Sequence, residues 1–382
     1  MEDGLGLVPF RPDYAVPPGA TLRETLERQG MSQADFARRA DLSTKHVNQI
    51  IQGEAPITAD TAIAIELVTK VPAQIWNGLE ANYQATMKRL GTRRVLTDQD
   101  RAWLRAMPVR HLIARRVIPD SRDPGAQFES LLRLFAVANR HAWDTLWQHP
   151  DAAFRRSSAF QANPYATATW LRLAELRAFD VSCAPFDRAA FKEAAREIRG
   201  WAGERITNGL IARIRDRLAG AGVALVIVEE VKGCRASGAT RWIGTNKAFI
   251  ALSLRYKADD RFWFALFHEA GHVLLHGKRQ TFVDEERGQH GAAEEKESAE
   301  EREADQFAAD ILIPRALEQR VRGIESQGEI AELAHELGIA PGVVVGRMQW
   351  LGLIGWGSPL NKLRASIDPD ELQPAAHDGE RT

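Results

Sequence analysis

The chain has 382 residues, 45% of them hydrophobic and 26% charged, with a net charge of -1. Such a composition is that of an ordinary globular protein with room for two or three domains; it excludes a global electrostatic pull toward nucleic acid, so any such pull must be local. No apolar run is long enough to span a bilayer, the N-terminus lacks the basic start and apolar core of a signal peptide, and two cysteines, Cys183 and Cys234, without metal-type spacing exclude a disulfide framework; a cytoplasmic location without membrane contact is therefore expected.

Residues 1–20 are rich in proline and glycine and read as a flexible arm. Helical periodicity begins at Thr21, with Leu22, Leu26 and Met31 on the apolar side. Ser32 is a predicted N-cap with Asp35 three residues on, and Phe36 and Ala37 turn inward. Asp41-Leu42-Ser43 interrupts the pattern, and Ser43 caps a second short helix from Thr44 to Gln52, stopped by Gly53. Two short helices joined by a tight turn make a helix-turn-helix. Val47, Ile50 and Ile51 give the second helix its buried side. Thr44, Lys45, His46, Asn48 and Gln49 face out, and with Gln33 and Ser43 at the helix starts they are the candidate DNA-binding residues, suited to base edges and phosphates. A solvated face of a protein-interaction module is the competing reading, because residues 21–90 hold eight Lys/Arg and eight Asp/Glu. A fourth helix follows Pro56-Ile57-Thr58 with Ala62, Ile65 and Leu67 inward, and Pro72 opens a fifth through Trp76, Leu79 and Tyr83.

The stretch from Gly30 to Gln84, GMSQADFARRADLSTKHVNQIIQG and onward, resembles the HigA-type branch of the Cro/C1 (XRE) helix-turn-helix family over about residues 18–90. The resemblance implies a five-helix, lambda-repressor-like domain at residues 21–90, a homodimer on duplex operator DNA, and an antitoxin or repressor role with a possible toxin partner. The chain departs from that family by continuing for almost three hundred residues.

Residues 91–204 read as a basic linker and a helical connecting domain. Lys88, Arg89, Arg93, Arg94, Arg101, Arg105, Arg110, Arg115 and Arg116 stand against Asp98 and Asp100. Such a cluster can add phosphate contacts, or it can be a solvated helix face or a partner for acidic residues downstream. With Pro108, Pro119 and Pro124 nearby, the stretch 88–122 also reads as an exposed, extended segment that a peptidase could cut. Beyond it, Leu131, Leu132, Leu134, Phe135, Val137 and Ala138 form one helical stripe, Trp143, Leu146 and Trp147 a second, and Trp170, Leu171, Leu173, Ala174 and Leu176 a third. Such stripes are core or interface; no catalytic constellation occurs among them.

A helix ends at Leu218 before Gly220, and strands are predicted at 223–228, 239–244 and 247–252, the last two joined by a Thr245-Asn246 turn. Next comes FWFALFHEAGHVLLH, residues 262–276. A helix turns about 100° per residue, so His268 and His272 lie on one face and can hold one metal ion, with Glu269 in reach of a water on that ion as general base. This is the spacing of zinc hydrolases. A third ligand must come from a second helix. EEREADQFAADILIP, residues 300–314, packs inward through Phe307, Ala308, Ile311 and Leu312. Glu301 is the chosen ligand and Asp305, one turn on, the acceptor for the free N–H of a ligand histidine; Glu303 is the alternative ligand and Glu300 stands third. Most of these glutamates also suit an acidic helix start. Residues 284–305 carry ten Asp/Glu against three Lys/Arg and read as a loop between the second and third ligands.

HEAGHVLLH followed by EREADQFAADILIP resembles the ImmA/IrrE family of zinc metallo-endopeptidases over roughly residues 205–356. The resemblance implies a gluzincin-like domain with Zn2+ on His268, His272 and Glu301, Glu269 as base and Asp305 as supporting carboxylate, acting on a protein substrate, either a repressor or this chain itself. Near the end of that stretch, residues 330–348 read as a second, small helix-turn-helix-like unit, and residues 357–382 as a polar tail. The fold class expected is mainly α with a small β-sheet. The function expected is a DNA-binding regulator carrying a zinc endopeptidase; the alternative is a non-proteolytic antitoxin or repressor whose metallopeptidase-like domain binds a partner or senses a signal.

Overall fold

A computed structural model describes residues 15–91, 96–148, 163–253, 257–277, 281–285 and 299–368. The chain divides into two compact units, Met1–Thr97 and Asp98–Thr382. The described residues are mostly helical, with one four-stranded mixed sheet.

The first unit holds α1 (Pro18–Arg28), α2 (Gln33–Arg39), α3 (Thr44–Gln52), α4 (Ala59–Thr69) and α5 (Ala73–Gly91). The first four starts have a local cause. Pro18 occupies the first turn of α1, where its missing N–H costs nothing. The Ser32, Ser43 and Thr58 hydroxyls accept from the N–H of Asp35, His46 and Thr61. Gly53 ends α3 with φ 77°, a left-handed conformation that glycine adopts without steric cost. Leu22, Leu26, Phe36, Val47, Ile50, Ile65 and Trp76 form the core, and the Trp76 indole donates to Val71 O at 3.1 Å. Leu67, expected inward, is 77% exposed. It lies two residues past buried Ile65, about 200° around the helix, so it faces the other way. Ile63, one turn before it, is exposed too.

The second unit opens with α6 (Asp98–Ala106), α7 (Val109–Ala114), α8 (Pro124–Leu134) and α9 (Arg140–Trp143), the last widening into a π-turn at Asp144–Gln148. Their core is aromatic: Trp103 meets Phe128 and Trp143 edge-on at 5.2 and 5.6 Å, and Tyr165 stacks on Trp143 at 5.5 Å. The expectation of an extended basic segment at 88–122 fails over α6 and α7, although Arg101, Arg105 and Arg110 on them are exposed. Residues 98–106 and 109–114 are helical, and Trp103, Leu104, Met107, Leu112 and Ile118 are buried; the apolar residues between the arginines fold the stretch. Arg115 pairs with Glu229. Leu146, expected with Trp143 and Trp147, is exposed, because those two share a face and the π-turn carries Leu146 off it.

α10 (Pro164–Asp180), α11 (Arg188–Arg199) and α12 (Asn208–Ala219) lead to the sheet. α10 is buried along most of its length, and its Trp170 indole donates to Val228 O at 3.2 Å. The strands are β1 (Val223–Ile227), β2 (Ala236–Ile243), β3 (Lys247–Leu252) and β4 (Phe282–Glu285), in the order β1-β3-β2-β4. β1 runs parallel to β3, while β2 is antiparallel to both β3 and β4. The last two residues of β4, Asp284 and Glu285, begin the stretch that reads in the sequence as an acidic loop.

α13 (Asp259–Leu275) packs on this sheet, and α14 (Ala299–Leu312) packs on α13. The short α15 (Glu318–Arg322), α16 (Gln327–Leu337) and α17 (Pro341–Trp350) close the unit. α16 carries a full capping box between Ser326 and Glu329. The expected helix pair forms, but α17 buries Val343, Val344, Val345 and Met348 in the core with α13, so its apolar face is structural. The chain then returns to the start of α13: Asp259 N donates to Ala365 O, Ile367 N to Lys257 O, and Arg364 Nη2 lies 3.0 Å from Asp260 Oδ2. Residues 1–14, residues 286–298 of the acidic stretch and residues 369–382 of the tail lie outside the described residues.

Candidate metal centre and recognition helix

The last two turns of α13 bury His268, Glu269 and His272, each at most 1% exposed. Their Nε2 atoms, His268 to His272, are 3.0 Å apart. Glu301 Oε2 of α14 lies 3.3 Å from the first and 3.6 Å from the second. One donor atom from each of these three residues falls within 4.8 Å of the others, a set that could hold one metal ion. Burial lowers the His272 pKa to about 4, so the ring is neutral at pH 7. Burial pushes the Glu301 carboxyl up, but hydrogen bonds and charge from His268 and His272 more than offset this and hold it well below the usual carboxylate range. Neutral imidazoles and an ionised carboxylate are the forms a zinc ion requires of its ligands.

The surroundings explain the convergence. α13 and α14 approach closely because Gly271 has no side chain: a Cβ there would lie 3.1 Å from Ala304 Cα. Asp305, one residue past Ala304, places Oδ1 2.8 Å from His268 Nδ1, the partner a ligand histidine commonly has. Glu303 points elsewhere: its Oε2 lies 3.2 Å from His276 Nε2, and its side chain is 62% exposed.

The sheet forms the floor. Thr240 of β2 and Phe282 of β4 are opposite partners in the antiparallel ladder, and opposite partners face the same side. The Thr240 hydroxyl donates to Glu269 Oε2 at 2.6 Å. The Phe282 ring stacks on His272, centroids 3.9 Å apart and planes 17° from parallel. Gly238 leaves room for the glutamate, since a Cβ there would lie 2.3 Å from Glu269 Oε1. Thr240, Gly238, Phe282 and His276 were not singled out from the sequence. His276 had a signal, for it stands four residues after His272 just as His272 follows His268. The strand residues had none, because their role depends on which helix crosses them.

In the first unit, Ser43, Thr44, Lys45 and Asn48 are exposed, and Gln33, His46 and Gln49 are half-buried. The Ser43 hydroxyl is committed to the His46 N–H at 3.1 Å. Thr44, Lys45 and Asn48 therefore present the freest polar groups of α3. No helix among the described residues is long and apolar enough to cross a membrane.

Comparison with known families identifies both parts. Residues 227–349 match the IrrE N-terminal-like domain family, and residues 22–76 match a helix-turn-helix family. The chain thus joins a helix-turn-helix domain to an IrrE N-terminal-like domain. Among solved structures, PA4674 of Pseudomonas aeruginosa in complex with its 18-bp operator DNA is 30% identical, over 21% of this chain and 86% of its own, with a TM-score of 0.20. The P. aeruginosa antitoxin HigA with the higBA promoter is 28% identical over 22% and 96%, with a TM-score of 0.19. An addiction module antidote protein of the HigA family from Coxiella burnetii is 27% identical over 21% and 89%, with a TM-score of 0.19. No curated protein matches the chain.

Proposed function

We propose that this chain is a DNA-binding transcriptional regulator of repressor or antitoxin type that carries a zinc-dependent endopeptidase. The observation behind the reading is the convergence of His268, His272 and Glu301 beside Glu269 in an IrrE N-terminal-like domain. The donor set fits Zn2+. A bound zinc would supply Lewis acidity, making a water more acidic and a carbonyl more electrophilic. The protein's own groups do the rest. Asp305 fixes the His268 ring through its Nδ1. Thr240 fixes the Glu269 carboxylate. Glu269 takes a proton from the attacking water as its oxygen bonds to the peptide carbon, and gives that proton to the amide nitrogen as the C–N bond breaks. The substrate is a repressor protein or this chain itself.

The helix-turn-helix unit reads duplex DNA with α3, Thr44, Lys45 and Asn48 reaching bases and phosphates. Ile63 and Leu67 supply an exposed apolar face for a second copy, as two-fold operator reading requires.

Metal analysis of the full chain, with intact-mass mapping of wild type and Glu269→Gln, tests the reading. One zinc per chain and fragments from wild type alone support it. Zinc without fragments from either protein favours a regulator whose peptidase-like domain cuts nothing.

A further inference from the structure

We infer that His276 is a positioning residue for His272. The inference rests on the metal-centre reading above. His272 turns Nε2 toward His268 and Glu301, which makes Nε2 its ligand atom. Its other ring nitrogen must then carry the proton and needs an acceptor. For His268 that acceptor is a carboxylate, Asp305. For His272 it is a second imidazole: His276 Nδ1 lies 3.0 Å from His272 Nδ1. With His276 uncharged, a single arrangement of protons satisfies the whole chain of contacts. His272 Nδ1–H donates to His276 Nδ1, and His276 Nε2–H donates to Glu303 Oε2 at 3.2 Å.

Three further features show that His276 is held for this task. Its side chain is only 5% exposed, although the residue ends the helix. Its backbone N–H still bonds to His272 O at 3.2 Å, which keeps it one turn above His272. The Phe282 ring stacks on His272 and lies 5.1 Å from the His276 ring, so it limits rotation of both. Glu303 contributes less, because its carboxylate is mostly in water, where a single ion pair or hydrogen bond is weak.

The test uses the full chain stripped of metal, with zinc affinity measured by competition against a chromophoric chelator. His276→Ala should weaken zinc binding by about 10- to 100-fold, the usual cost of losing a partner behind a ligand histidine. His276→Asn puts an amide oxygen near the lost Nδ1 and should recover most of that affinity, to within about threefold of wild type, because the acceptor is what matters. Glu303→Gln should also stay within about threefold, as expected for an exposed pair. Thermal unfolding of the metal-free variants shows whether the loss is local to the site. Equal zinc affinity in wild type and His276→Ala overturns the inference. So does an equal loss in His276→Asn and His276→Ala, which would make the ring mere packing. A wild-type chain that binds no zinc is a different result: it removes the metal-centre reading, and this inference with it.

Discussion

Gly271 and Ala304 let α13 and α14 touch: a Cβ on Gly271 would stand 3.1 Å from Ala304 Cα and 3.3 Å from the Phe307 ring. Glu301 lies one turn before Ala304 and Asp305 immediately after it, so the depth of this contact sets how far both carboxylates reach toward His268 and His272. Gly271→Val is expected to push α14 outward. Overpacking of this kind costs about 1–3 kcal/mol, read as a lower urea midpoint, and zinc content should fall with it. An unchanged midpoint with full zinc would show that the helices have slack there.

One zinc per chain is expected on His268, His272 and Glu301, and the two candidate glutamates separate cleanly. Glu301 faces both histidines, while Glu303 faces His276. Glu301→Ala should lose most of its metal on dialysis, and Glu303→Ala should keep it. The opposite pattern would move the third ligand to Glu303.

The helix spacing of His268 and His272, the capped helices α2 and α3, and the inward face of α14 are all local patterns, so they are legible in the sequence. What was not legible depends on long-range pairing. β4 runs into an acidic stretch and takes its register from β2 alone, and Phe282 becomes part of the site only through that pairing. Gly238 has no chemistry of its own, and its meaning comes from Glu269 lying against it. Leu67 is apolar yet lies about 200° around α4 from buried Ile65, so hydrophobicity alone does not show which way it faces. In the arginine-rich stretch the charges mask Trp103, Leu104 and Leu112, whose burial folds α6 and α7.

The metal-free protein should show two opposing pH effects. The His272 pKa falls from 6.5 to about 4 through burial. The unfolded chain then binds the extra proton between these values, so stability is present above pH 6.5 and is lost as pH falls through 4. The Asp260 pKa rises from 3.8 to about 6 through burial, partly offset by Arg364 and Arg261. The folded chain binds the extra proton here, so this contribution is full below 3.8 and is lost as pH rises through 6. Each is on the order of 3 kcal/mol, and between pH 4 and 6 they cancel. Asp260→Asn removes one of them. Its urea midpoint should fall more steeply than that of wild type on acidification from pH 6 to 4, whatever its starting value. Parallel pH profiles would count against the raised Asp260 pKa.

For the helix-turn-helix unit, the full chain is expected to footprint a two-fold DNA site. Lys45→Ala and Asn48→Ala should each cost about 1–3 kcal/mol where a base contact is lost. Leu67→Glu should leave the fold intact, since the residue is 77% exposed, yet shift the chain toward monomer in sedimentation. Binding that survives both α3 changes at physiological salt would remove α3 as the reading element.

The two functions are expected to be coupled, with proteolysis relieving repression. A DNA reader and a peptidase in one chain gain from the linkage if cutting one disables the other. A cut between them would leave the reader without whatever dimer contacts the second unit supplies, and a lone half binds a two-fold site weakly. The structure constrains where the cut can fall. Residues 98–106 and 109–114 are helical, with Trp103, Leu104 and Leu112 buried, so cleavage within them requires local unfolding first. A peptidase cleft takes extended backbone, which favours bonds outside these helices. Glu269→Gln tests the coupling, because it keeps the metal ligands and removes the base. This variant should remain full length by intact mass and should repress under every condition that relieves wild type. The wild-type fragment masses identify the bond. If the conditions that derepress wild type derepress Glu269→Gln equally, with no fragment from either, cleavage is not the signal, and the IrrE N-terminal-like domain acts on repression by binding alone.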